Sequence, residues 1–468
     1  MKLKFGLTAI AVIVLSPALA LAACPAGVTC DEYTGAGKKG SFFRASVPTS
    51  PAWDGDLILI NHGFDLDPLS IRPHATCTLT AGTPCDTDLD CAPGQSCKKI
   101  DYFGIDEVAL PLGKAVAAST YSLTGWSVFN SRKDLADILK FFKKEIGLKP
   151  TRVIVTGFSM GGAVTVDATL RISSKKIHGA VPICPAAAGG LPSWDSATDL
   201  RMIYDMVCDG VDGGEFFGAP DLGITLGQIA MAVRIDTCTG VLAPSADPGE
   251  AAAQAQRKAD IYALSGFEGT DDEFLVIMGF ATLAVNDLVA DKGKLKGKLF
   301  GFNEGLVYPD NGTGIDVDGM IARLSAGKGR KKLSKNFAVD YTRGKGKKVD
   351  YPILQIANTD DFLTIPGFQT VLEKAAILGG KDHTIAWVNG GSHCNFSQEE
   401  IEGGMNAYLA WLDGGPQPTP ADVQAACLAL PGGIDGDTCD YNVAFVGPEL
   451  VDRVPARPDW FPAASPLP

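Results

Sequence analysis

Ser159 stands between glycines in "TGFSMGG", directly after the strand-like run "RVIV". A serine hydroxyl is a weak nucleophile at neutral pH. To attack a carbonyl it needs a base to take its proton, a group to orient that base, and donors for the oxyanion that forms. A G-x-S-x-G pattern gains meaning as a nucleophile elbow when a strand precedes it and a helix follows, which is the context of Gly157 to Gly161.

The remaining parts should stand at the carboxyl ends of other strands. His393, in "NGGSHCNFS", follows the strand-like "TIAWVNG" and is read as the base. The other downstream histidine, His383, begins that strand and belongs to the opposite edge of the sheet. The acid should end the preceding strand, where "QIANTDDFLTIP" offers Asp360 and Asp361. Adjacent side chains point in different directions, so only one can bond the imidazole; Asp361 is preferred and Asp360 is the alternative. "INHGF" ends an early strand, so the backbone amides of Phe64 and Met160 are the expected oxyanion donors, and His62 is read as a structural loop histidine. Ser397 and Glu400 have capping-box spacing and should start a helix that fixes the loop of His393.

Such residues need a sheet to hold them. Apolar runs at 56–63 and 114–120 and in "TRVIVTG", "IHGAVPIC", "YPILQIAN" and "HTIAWVNG" alternate with helical patterns, one of them carrying Leu135, Ile138, Leu139, Phe142 and Ile146 on a single face. This alternation predicts an α/β fold: a mostly parallel sheet with helices on both faces. The expected organisation is a signal peptide over 1–22, a core in two parts over 23–190 and 345–415, a cap over 191–344 and an irregular, wrapped tail over 416–468. A small disulfide-rich insertion over 76–100 interrupts the first part of the core. Asp86, Asp88 and Asp90 in that insertion lack the offsets of a calcium loop.

Ser159, Asp361 and His393, in that order with "HG" upstream, resemble the α/β-hydrolase superfamily over roughly 53–190 and 345–415. "AASTYSLTGWSV", "GAVPICPAAAGGLPSW", "ARLSAGKG" and "GSHCNFSQEE" are similar to secreted bacterial esterase-like members. Tannase and feruloyl-esterase relatives place one cysteine before the nucleophile and another after the histidine. Here Cys394 follows His393 but residue 158 is Phe, so Cys394 pairs elsewhere, with Cys184 as one partner, or stays free. The family's proline soon after the acid is replaced by "FLTIP".

The first residues, with two lysines, an apolar run and a small-residue end, have the pattern of an export signal. "ALA" at 20–22 suits an ordinary cut and a secreted protein, whereas "LAAC" resembles a lipobox that would lipidate Cys24 and anchor the chain at the bacterial surface. Twelve cysteines favour the first reading, because lipidation of Cys24 leaves an odd number. No later run is read as spanning a bilayer. A net charge of −13 disfavours nucleic acid as a partner, and the lysine-rich stretch over 323–348 is read as a solvated loop.

The expectation is a serine hydrolase that cleaves carboxylic esters, small or polymeric, through an acyl-enzyme, with no cofactor and no metal. The alternatives are a peptidase acting on short peptides, with "EGTDDEF" at 268–274 as a carboxylate cluster, and a non-catalytic binding protein on the same fold. Phe216, Phe217, Phe267, Phe274, Phe280 and Phe300 either line a substrate pocket or form the core of the cap.

Overall fold

The computed structural model describes residues 24–37, 40–65, 76–77, 97–98, 100–172, 176–211, 228–334, 352–378, 382–448 and 455–460. The signal segment, most of the cysteine-rich insertion with Asp86, Asp88 and Asp90, Phe216, Phe217 and most of the lysine-rich stretch lie outside them.

The strands are β1 (Thr29–Ala36), β2 (Phe42–Ser50), β3 (Asp56–Asn61), the short pair β4 (Thr76–Cys77) and β5 (Cys97–Lys98), β6 (Ala115–Ser119), β7 (Arg152–Phe158), β8 (Gly179–Ile183), β9 (Ile353–Asp360) and β10 (His383–Gly391). Eight of them form one sheet in the order β1-β2-β6-β3-β7-β8-β9-β10. Only β1, β2 and β6 pair antiparallel, and from β6 through β3 to β10 every neighbour is parallel. Strand side chains alternate between faces. Leu57 and Leu59 accordingly join one core cluster while Ile58 and Ile60 join another, as expected of a sheet covered on both sides.

The covering helices are α1 (Ile105–Ala109), α2 (Ser131–Lys144), α3 (Met160–Arg171), α11 (Pro366–Leu378), α12 (Gln398–Leu412) and α13 (Pro420–Leu428). Between β8 and β9 the chain adds α4 (Gly190–Val207), α5 (Gln228–Thr239), α6 (Pro248–Ser265), α7 (Asp271–Gly279), a π-helical turn (Phe280–Ala284), α8 (Val285–Ala290), α9 (Val317–Met320) and α10 (Arg330–Leu333). Tyr204, Ile235, Ile261, Phe274 and Met278 give α4 to α7 a core of their own. The Cys208–Cys238 disulfide ties the end of α4 to α5.

Several expectations need correction. β1 and β2 precede the first strand read from the sequence; the polar, largely exposed "TCDEYTGA" of β1 carries little apolar signal. The stretch after residue 416 is not simply irregular. Thr419 and Asp422 form a capping box that starts α13, Cys427 pairs with Cys439, and Tyr441 bridges to Val388 of β10. Farther on, Arg457 and Trp460 are buried, with Arg457 bonding Asp199 and the Trp460 indole donating to Asp195 of α4. Arg330, within the lysine-rich stretch, is no solvated residue: it is 4% exposed and pairs with Asp195 at 2.8 Å. At the start of the described chain, Cys24 pairs with Cys30. The helix Asp271–Ala290 is long and apolar enough to span a bilayer, contrary to the sequence reading. Its apolarity has a packing cause, since Phe274, Met278, Val285 and Leu288 are all buried in the fold.

Candidate active site

β7 delivers Ser159 at a sharp turn. The serine has φ 56° and ψ −118°, a strained conformation for a residue with a Cβ, and α3 begins at the next residue. The flanking glycines are there for close packing. A Cβ on Gly157 would lie 2.5 Å from the Asn61 carbonyl oxygen, and one on Gly161 would collide with the same peptide. The loop after β3 therefore runs against the elbow: a Cβ at Gly63 would stand 3.6 Å from that of Ser159.

His393 follows β10 and presents Nε2 at 2.6 Å from Ser159 Oγ. Its Nδ1 lies 2.8 and 3.0 Å from the two carboxylate oxygens of Asp361. That contact assigns the ring proton to Nδ1 and leaves Nε2 to accept from the serine. Asp361 is 1% exposed. Burial alone would raise its carboxyl, but the charge and hydrogen bond of His393, with donors from Thr364, outweigh it and hold the group below the usual carboxylate range. The amides of Leu363 and Thr364 and the Thr364 hydroxyl all donate to Asp361. Asp360 is exposed and accepts from Thr359, away from the imidazole. Ser397 and Glu400 form the capping box that starts α12 just beyond His393.

Phe64 and Met160 lie beside Ser159 in the wall of one cavity. Met160 is the first residue of α3, so its N–H has no acceptor within the helix, as an oxyanion donor requires. His62 packs on Tyr121 at 4.3 Å between ring centroids and bonds its own loop through Nδ1, a structural placement. His383 is buried at the start of β10.

Cys184 carries more of the site than its sequence position discloses. It pairs with Cys394, next to His393. Its sulfur lies 3.3 Å from the Ser159 amide, and its carbonyl accepts from the Thr364 hydroxyl in the acid loop. One residue at the end of β8 thus touches the segments of all three side chains. The Cys184–Cys394 disulfide thus fastens the loop of His393 to the end of β8, the strand beside that of Ser159.

The cavity has about 770 Å³ of free space, part of it open to solvent. Phe64, Trp126 and Met160 come from the core; Trp194 and Leu200 of α4, Phe267 after α6, Ile277 of α7 and Phe280 close over it. Phe274 and Phe300, in contrast, are packed in the interior. Among the described residues, none that lines it is Asp, Glu, Lys, Arg or His. The acidic "EGTDDEF" segment does not reach this cavity: Glu273 caps α7 through Thr270, and Asp271 bonds Lys258 and Tyr262.

Neither a protein-family model nor a curated protein matches the sequence. Among solved structures, the esterase Pf2001 of Pyrococcus furiosus is similar at 11% identity and a TM-score of 0.37, over 82% of this chain and 93% of that one. Candida antarctica lipase A is similar at 14% identity and a TM-score of 0.38, over 84% and 78% of the two chains. The acylaminoacyl peptidase of Pyrococcus horikoshii is similar at 10% identity and a TM-score of 0.34, over 82% and 41%. Similarity this distant leaves the fold to be judged on the sheet itself. With its eight-stranded, mostly parallel sheet, helices on both faces and a strand–serine–helix elbow on the central strand, the chain has the α/β-hydrolase fold.

Proposed function

We propose that this chain is a serine hydrolase that cleaves carboxylic esters through an acyl-enzyme. The observation that carries the reading is His393 bridging Ser159 Oγ at 2.6 Å and Asp361 at 2.8 Å, with the serine on a strained turn at the head of α3. In the first half-reaction Ser159 Oγ attacks the ester carbonyl carbon as its proton passes to His393 Nε2. Asp361 keeps the imidazole in the Nδ1–H tautomer and stabilises the cation. The tetrahedral oxyanion is held by the amides of Phe64 and Met160, and its collapse expels the alcohol, which takes the proton from Nε2. Water then enters; His393 removes its proton, the hydroxyl attacks the acyl carbon, and the acid departs as Ser159 regains its proton.

The uncharged described lining favours esters over peptides recognised by their amino end, since none of the described lining residues is a carboxylate that could meet an ammonium group. The disulfides Cys24–Cys30, Cys184–Cys394, Cys208–Cys238 and Cys427–Cys439 support an exported protein. The test is the rate on p-nitrophenyl esters of the wild type and of Ser159→Ala, with aminoacyl anilides alongside. Ester turnover in the wild type and a loss of about 10⁴-fold or more in the variant, with its melting curve unchanged, is expected. An Ala variant that keeps most of the ester rate, or anilides cleaved faster than esters, contradicts the proposal.

A further inference from the structure

The cavity beside Ser159 has one continuous aromatic wall. Trp126 meets Trp194 edge-on at 5.4 Å between ring centroids, Trp194 lies 6.3 Å from Phe64, and Phe64 lies 5.1 Å from Phe280. The wall passes the nucleophile at Phe64, which follows Gly63, whose backbone packs against Ser159. His393 does not line this cavity. An alcohol leaves where His393 Nε2 can protonate it, so a cavity that His393 does not line suits the acyl group.

Along that wall the rings are unequally held. Trp126 and Trp194 are each 4% exposed, fixed by packing on several sides, whereas Phe280 is only partly buried. Phe280 also opens the π-helical turn Phe280–Ala284 in the otherwise continuous helix Asp271–Ala290. One added residue rotates the face that follows by about 100°. The turn is fastened from inside: the Thr282 hydroxyl donates to the Met278 carbonyl and faces Met231 Sδ at 2.9 Å. Such turns recur at functional sites. Here the turn begins at the residue whose ring lies against Phe64.

Resting on the esterase reading above, we infer that the substrates are esters of uncharged apolar acids, and that the Phe280 ring sets the length of acyl chain the cavity accepts. Its phenyl ring lies against Phe64, one ring from the loop that packs on Ser159. Removing the ring should lengthen the cavity, and enlarging it should shorten the cavity, with the reacting atoms untouched in both cases.

The experiment is kcat/KM on p-nitrophenyl esters from acetate to palmitate for the wild type, Phe280→Ala and Phe280→Trp, with the hemisuccinate ester as a charged acyl probe. A hydrophobic pocket discriminates a methylene by about 10-fold or more. Relative to acetate, Phe280→Ala should raise the first chain the wild type rejects by about 10-fold, and Phe280→Trp should lower the longest accepted chain by a similar factor. The hemisuccinate should be cleaved at least about tenfold more slowly than butyrate. Should Phe280→Ala melt early, Phe280→Leu retains an apolar contact and removes the flat ring, with the same direction of shift expected. Chain-length profiles that superimpose in the wild type and variants overturn the inference and leave the esterase reading standing, as does a hemisuccinate cleaved as fast as butyrate. Silence of the wild type on every ester overturns the reading itself, and the inference with it.

Discussion

Asp360 and Asp361 are chain neighbours with opposite surroundings. Asp361 is buried and receives the His393 ring and three bonds from the Leu363–Thr364 turn, whereas Asp360 faces solvent. Asp361→Asn keeps the shape but removes the charge and offers an amide in place of an acceptor, favouring the wrong imidazole tautomer. A fall in kcat of about 10³–10⁴-fold is expected. Asp360→Asn should stay within about threefold of the wild type. Equal losses from the two substitutions would contradict the assignment of Asp361. The meeting of Ser159 and His393 was legible from residue types at strand ends, because a strand's carboxyl end fixes where the next side chain emerges. Between the two aspartates the choice depends on how the chain turns after β9, a tertiary matter; the local sign of it is the Asx-type turn from Asp361 to Thr364.

At the level of elements, Ser159, Asp361 and His393 sit after three different strands, and the end of β8 joins them. The Cys184–Cys394 disulfide holds the loop of His393, while Cys184 also touches the Ser159 amide and Thr364. Small displacements of a base are costly in rate, on the order of 10²-fold for about 1 Å. The double variant Cys184→Ala/Cys394→Ala should therefore lose at least about tenfold in kcat. Its KM for a short ester should change little, because neither cysteine lines the cavity. Loss in KM alone, with kcat intact, would show that the clamp does not position the base. The sequence offered Cys184 as a partner or left Cys394 free, since the β8-β9-β10 order of the sheet brings the two together and is not written in either segment. Helix starts were more legible: Ser397 and Glu400 form their box as read. The edge strand β1 and the helix α13 were missed because an exposed strand and a short, proline-flanked helix have weak apolar periodicity.

Across the whole molecule, strands, their alternation with helices and the order of functional residues followed from the sequence. How the remainder packs did not. The buried pairing of Asp195 and Asp199 with Arg330, Arg457 and Trp460 brings together residues up to 265 positions apart, and no local pattern marks it. Burial also leaves a signature in pH. Asp106, 5% exposed in α1, has its carboxyl raised to about 6, by desolvation first and by Glu107 and Asp101 next. The unfolded carboxyl titrates near 3.9, so the folded state holds the proton more tightly. Stability from this group is full below about pH 4 and is lost as pH rises through about 6. Asp106→Asn removes that loss, so it should raise the melting temperature more at pH 8 than at pH 4, by a free-energy difference on the order of 2 kcal/mol. An equal effect at both pH values would contradict a costly buried charge. The most direct test of the central claim is labelling of the folded protein with a serine-directed fluorophosphonate, followed by peptide mass mapping. Stoichiometric modification at Ser159, lost in Ser159→Ala and strongly slowed in His393→Ala, is the expected result. A folded wild type that stays unlabelled, or takes the label at another serine, would contradict it.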